Sequence, residues 1–181
     1  MFIRTKRIRK NGKDYLYAYL VQNRWRKSKK ASRQRVKGYL GKVISFEKIR
    51  EQDFFEHSSI ADVHAYVKSA AHDHILRDLI AWELWQHGFS AKEGIWSRED
   101  ISFDVRTFEL YQQRGERKNP RIVSAMNEGF LCNATLKMLL SLGIHGSEEK
   151  IGFKWASLLT EAGIKIPQEL FVVWMTKMLG R

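Results

Sequence analysis

Asn11-Gly12 divides two short runs that each read as a strand, and it constrains the start of this chain more than any other feature. Both residues tolerate positive φ, so the dipeptide is a strong signal for a tight β-hairpin turn. Residues 2–9 before it are rich in β-branched and basic types. After it, Asp14 to Val21 alternates aromatic and aliphatic side chains, as a strand does. A basic connection, Gln22 to Ser32, leads to a third run, Arg33 to Val43. Residues 1–44 are therefore expected to form a three-stranded antiparallel meander.

That segment also carries the excess charge of the whole chain. Residues 1–44 hold 15 Lys and Arg against one acid, Asp14, a net charge of +14. The full chain has 32 basic and 20 acidic residues, which leaves 17 and 19 for residues 45–181, a net −2. A polyanion is the natural partner of such a segment, and nucleic acid is the commonest one. By alternation, Tyr15, Tyr17 and Tyr19 share one face of the second strand, with Leu16, Ala18 and Leu20 on the other. In the third strand Arg33, Arg35, Lys37 and Tyr39 share a parity opposite to Val36 and Leu40. A register that buries Leu16, Leu20, Val36 and Leu40 together leaves tyrosines and cations on one outer face, suited to neutralising phosphates and stacking on bases. The expected phosphate contacts are Arg24, Arg26, Lys27, Lys29, Lys30, Arg33, Arg35 and Lys37, with Trp25 and Tyr17 as stacking residues.

Residues 45–58 read as a connection anchored by Phe54-Phe55, and residues 59–181 as a mainly helical domain. Ser59 is placed to cap a helix through Val67; a second runs from about Ala71 to His87 and ends at Gly88. Gly94 to Asp100 reads as a loop. Ile101, Phe103 and Val105 alternate with polar residues, Gln112 to Pro120 reads as an exposed turn, and Arg121 to Met126 as the returning strand. One hairpin near 101–126 is thus expected. Helices follow at 133–142, stopped by Gly143, at 147–162, stopped by Gly163, and from Pro167 to about Leu179. The class is α+β.

Catalytic chemistry has little support. His72 and His74 lie two apart on a helix and point in nearly opposite directions, and the lone Cys132 has no ligand pair, so no metal site is expected. Cys132 reads as a small buried apolar residue, which also removes a disulfide framework. Asp100, Asp104, Glu109 and Glu128 form the best acid set for a metal-dependent nuclease, the alternative reading. No lysine accompanies them at a signature spacing. Gly38-x-x-Gly41 lies in a strand, and no phosphate-binding glycine loop occurs, so no nucleotide cofactor is expected. No apolar run reaches the roughly 18 residues of a membrane span, and the charge from Arg4 onward is unlike a secretory signal. A cytoplasmic location, associated with nucleoid or ribosome, is expected.

Two stretches carry a family likeness. Arg4-x-Lys6-Arg7, Asn11-Gly12-Lys13-x-Tyr15 and Arg33-Gln34-Arg35-Val36-Lys37-x-Tyr39-Leu40-Gly41-Lys42-Val43 resemble the N-terminal β-module of some insertion-sequence transposases. The resemblance implies engagement of DNA by residues 1–44. The remainder is too short for an RNase H-like core, so transposition is not implied. Met126 to Cys132 and Glu161 to Pro167 look like small uncharacterised prokaryotic proteins, archaeal ones included, and imply no activity. The function expected is nucleic-acid binding without catalysis, with the helical domain as scaffold or platform for a protein partner. A ribosome-associated protein with a basic rRNA-binding arm is a further alternative.

Overall fold

The computed structural model describes residues 1–27, 30–142 and 147–180, with Arg26 by its backbone alone. In chain order the strands are β1 (Phe2–Lys10), β2 (Lys13–Arg26), β3 (Ala31–Ser45), β4 (Ser90–Lys92), β5 (Ile95–Arg98), β6 (Ile101–Asp104), β7 (Glu109–Arg114), β8 (Arg117–Asn119), β9 (Ile122–Met126) and β10 (Gly129–Leu131). The helices are α1 (Phe54–His57), α2 (Val63–Ser69), α3 (His72–Gln86), α4 (Asn133–Leu140), α5 (Glu148–Ala162) and α6 (Gln168–Met178). The strands form two five-stranded sheets, ordered β1-β2-β3-β9-β10 and β4-β5-β6-β7-β8. None of the described helices is long and apolar enough to cross a membrane.

This corrects the expectation of an antiparallel meander followed by a mainly helical domain with one hairpin. The β1–β2 hairpin forms as Asn11-Gly12 requires, with φ of 51° and 73° at the two turn residues. The sheet does not end at β3, however. The last residues of β3 pair in parallel with β9, from Lys42 opposite Ile122 to Ser45 opposite Ala125, making the first sheet mixed. Arg121 to Met126 therefore does not return beside residues 101–106. The partner of β6 is β7, with Asp104 opposite Glu109. The stretch from Gln112 to Pro120 holds the end of β7 and all of β8, joined through Gly115 at φ 56°. Gly94 to Asp100 contains β5 rather than a loop; Glu93 and Gly94, at φ 52° and 81°, turn β4 into it.

Helix ends follow capping chemistry. The cap of α2 is Asp62, whose carboxylate accepts from His64 N at 2.8 Å and Ala65 N at 3.1 Å. Ser59, expected in that role, sits in a left-handed turn at φ 54°. Gly88 and Gly163 end α3 and α5 with φ of 78° and 74°. The expected stop at Gly143 lies outside the described residues.

One large core joins α3, α5 and α6 to the second sheet, through Leu76, Leu79, Ile80, Phe103, Leu110, Trp155 and Trp174. Each such side chain contributes about 1.5–3 kcal/mol on burial. A smaller cluster of Ala18, Val43, Val123 and Cys132, with Leu16, Leu40 and Ala134 against it, holds the mixed sheet to α4. The buried Glu83 ties α3 to the β9–β10 turn and to the segment after α5: its carboxylate accepts from Asn127 Nδ2 at 2.9 Å and from Lys165 N at 2.8 Å. Gly129 lies so close to Thr160 O and Gly163 N that a Cβ there would overlap backbone. Segments 126–132 and 161–167 thus meet in the fold.

His72 packs edge-on to Trp155 at 4.7 Å and against Trp174 at 5.0 Å, with its enclosed Nδ1 unpaired. Burial pulls its pKa below the ordinary value, only partly offset by Asp73. The folded state then binds a proton less readily than the unfolded chain. Stability held above about pH 6.5 should be lost as pH falls through that value toward the folded pKa. Urea unfolding between pH 7 and pH 5 should show a steeper loss for the wild type than for His72→Phe; parallel curves would disprove this.

Candidate nucleic-acid interface

Beyond the body, β2 and β3 continue as a two-stranded ribbon. Every described side chain from Gln22 to Lys37 is exposed, while Val21 just before it is 2 % exposed. From Val21 to the tip the ribbon reaches roughly 15–20 Å at the rise of an extended strand. Two irregularities govern which way its side chains point. Ala18 faces Gly41 and Tyr19 faces Tyr39, so Leu40 is an extra residue; Leu20 faces Gly38 and Val21 faces Val36, so Lys37 is another. Each β-bulge reverses the alternation of β3 relative to β2.

The single mixed face of tyrosines and cations expected from uninterrupted alternation is therefore corrected to two faces. Directly opposed residues share a face of a sheet. Tyr17 opposes Lys42, Tyr19 opposes Tyr39, Val21 opposes Val36, Asn23 opposes Gln34 and Trp25 opposes Ser32. On the reverse, Arg24 opposes Arg33 and Gln22 opposes Arg35. Lys37 joins this second face by lining a groove with Gln22, Arg24 and Arg35. Val36, expected to be buried with Leu16 and Leu40, is 61 % exposed on the tyrosine face. Lys27 and Lys30 lie at the tip, where Lys30 N donates to Lys27 O at 3.3 Å. The Arg26 side chain and Lys29 lie outside the described residues.

Among the described residues, none of the ribbon's cations is in an ion pair with an acid, and Asp14 is the one acid of β1 to β3. On the tyrosine face Arg4 donates to the Gln34 side chain at 2.6 Å, and the Lys42 ammonium lies 5.4 Å from the Tyr15 ring centre. Tyr39 packs against Tyr19 at 5.5 Å and Tyr17 at 6.2 Å. Its hydroxyl pKa is raised, by burial first and then by the neighbouring Tyr17 and Tyr19, against an opposing pull from Arg121. It stays a neutral donor beside the cations.

No family model, curated protein or solved structure matches the chain. Function therefore has to be read from the site itself.

The acid set for a nuclease does not converge. Asp104 and Glu109 are opposed across β6 and β7, but Asp104 is engaged by its own turn, accepting from Arg106 N at 2.9 Å. Burial pushes its carboxyl up, yet the N–H groups of Arg106 and Thr107 and the Arg106 charge outweigh this and hold it below the usual range. Asp100 accepts from Gln112 Nε2 at 2.5 Å, and Glu128 lines a separate cavity beside Thr160 and Lys165. Among the described residues no group of three or more His, Cys, Asp and Glu side chains is arranged to hold a metal ion.

Sequence reasoning missed Arg4, Lys6, Gln34 and Arg121 as neighbours of the tyrosines. The first three are signalled by the β1–β2 register that Asn11-Gly12 sets and by a count through the bulges. Nothing in the sequence placed Arg121 beside Tyr39, because the parallel β3–β9 pairing brings it there.

Proposed function

We propose that this chain is a nucleic-acid-binding protein that acts by binding rather than catalysis, with the β2–β3 ribbon as its phosphate-contacting arm. One observation carries the reading: Arg24, Arg33 and Arg35 stand on one exposed face, two of them directly opposed, with no acid among the described residues paired to them. Like charges directly opposite in a sheet are destabilising, at about 1 kcal/mol for a close pair in water. A phosphate backbone turns that cost into attraction, and a two-stranded ribbon fits the width of a duplex major groove. The resemblance of residues 1–44 to a transposase β-module agrees with this. The two-sheet body serves as the scaffold, open to a protein partner, and such an arm suits association with nucleoid or ribosome.

The test is a salt titration by fluorescence anisotropy on a duplex oligonucleotide. The wild-type affinity should fall steeply with salt, by about 0.9 in log–log slope per phosphate neutralised. Arg24→Ala/Arg33→Ala/Arg35→Ala should weaken binding and flatten the slope by about 2–3. An unchanged slope would exclude the arginine face. Trp25→Ala at the exposed tip should cost on the order of 1–3 kcal/mol on single strands if a base stacks there. An unaltered affinity would leave Trp25 without that role.

A further inference from the structure

The tyrosine face carries a hollow that the arginine face does not need. It has a volume of about 410 Å³ and is lined by Arg4, Lys6, Tyr19, Val21, Gln34 and Val36. This is within the range of small-ligand sites, about 300–1,000 Å³. Val21 and Tyr19 come from β2, Val36 and Gln34 from β3, and the two cations from β1, where Arg4 opposes Tyr19 and Lys6 opposes Tyr17. Apolar side chains thus sit beside two positive charges and an amide. Arg4 uses one guanidinium N–H on the Gln34 carbonyl oxygen, which leaves the Gln34 NH2 group as a donor. Next to the hollow, Tyr39 is 42 % exposed and offers a ring held against Tyr19.

We propose that this face is a site for single-stranded nucleic acid, with one unstacked base seated in the hollow and a neighbouring base on Tyr39. The inference rests on the nucleic-acid reading and adds the strandedness of the partner and the residues that sense it. A nucleobase has the properties the hollow asks for: flat apolar faces for Val36 and Tyr19, and edge acceptors for the Gln34 amide. The phosphates on either side reach Arg4 and Lys6. A duplex keeps its base faces stacked inside and cannot supply them. A second copy of this chain would bring the same cations against Arg4 and Lys6, so like-charge repulsion disfavours self-association through this face. The ribbon would then read two things, phosphate on one side and exposed bases on the other.

The experiment measures binding of the full chain by anisotropy to oligothymidylate and oligouridylate of about 12 nucleotides and to a duplex of similar length. Gln34 and Tyr39 lie on the surface and the leucine keeps an apolar contact with Tyr19, so Gln34→Ala/Tyr39→Leu should fold as the wild type does, with a cooperative thermal transition and an unchanged circular dichroism spectrum. The double variant should lose about tenfold or more in affinity for the single strands and change duplex affinity less than about twofold. The ratio between the two single strands assigns DNA or RNA. Equal losses on single strand and duplex, or no loss on either, would overturn the single-strand site while leaving nucleic-acid binding intact. If the wild type binds none of the three, both readings fail. Photocrosslinking of a bromouridine-containing strand gives a second readout on the unmodified chain. Adducts should fall on Tyr19 or Tyr39, and adducts confined to residues elsewhere would overturn the assignment.

Discussion

Gly41→Ala is expected to cost about 3 kcal/mol or more and to unseat the ribbon from the body. The backbone at Gly41 has φ 146°, and a Cβ built there overlaps the Arg121 carbonyl and stands 2.6 Å from Ile122 N. The obstructing atoms are backbone, so no rotamer relieves them, and overpacking of this kind adds to the strain of the φ value. Gly38→Ala, three residues earlier in the same strand, supplies the control: a Cβ there meets nothing within 4 Å. It should change stability by less than about 1 kcal/mol. Thermal unfolding of the two variants beside the wild type checks the contrast, and equal melting temperatures would show that the β3–β9 seam is not where β3 is held.

The second large effect is expected at Glu83. Truncation to alanine removes the acceptor of Lys165 N and one acceptor of Asn127 Nδ2, inside a fully buried site. Asn127 keeps its bond to Gly163 O at 2.8 Å, so the backbone N–H of Lys165 bears most of the loss. An unpaired buried donor costs about 1–3 kcal/mol, and the cavity left by the side chain adds to it. A total of about 3 kcal/mol or more follows for Glu83→Ala, with a smaller loss for Glu83→Gln, which keeps an acceptor oxygen. Hydrogen exchange at the Lys165 amide reports the site directly. Protection retained in Glu83→Ala would show that the bond is dispensable.

The parts of this fold that were legible are those encoded within a few residues of each other. Asn11-Gly12 specifies its hairpin because both turn residues must adopt positive φ. The apolar face of Ile75, Leu76, Leu79, Ile80, Trp82 and Trp85 and the stop at Gly88 mark α3 for the same local reason. The crowding of basic residues into the first quarter of the chain was legible too, since charge density needs no register. What local reasoning could not resolve was the facing of β3. Alternation assumes an unbroken period of two, and the bulges at Leu40 and Lys37 break it twice within four residues. Tyr39 and Arg35, counted as sharing a face, therefore part company. The mixed sheet was hidden for a different reason: β9 carries the same alternation whether it joins β6 or β3, and only tertiary packing selects its neighbour. Strands as short as β4 and β8 hold too few residues to show any period.

The parallel seam between β3 and β9 also bears on how such a chain could be recombined. Residues 1–44 look transferable in the sequence, a charged unit with a turn at Asn11-Gly12 and a glycine near its end. In the fold, the strand that forms half of the ribbon runs unbroken into the body and docks by Gly41 on the Arg121–Ile122 backbone. A host grafted with this segment would have to furnish a parallel acceptor strand and a cover for Ala18 and Val43. Transplantation would thus succeed by swapping the distal ribbon, from Gln22 to Val36, and fail by cutting at the apparent border.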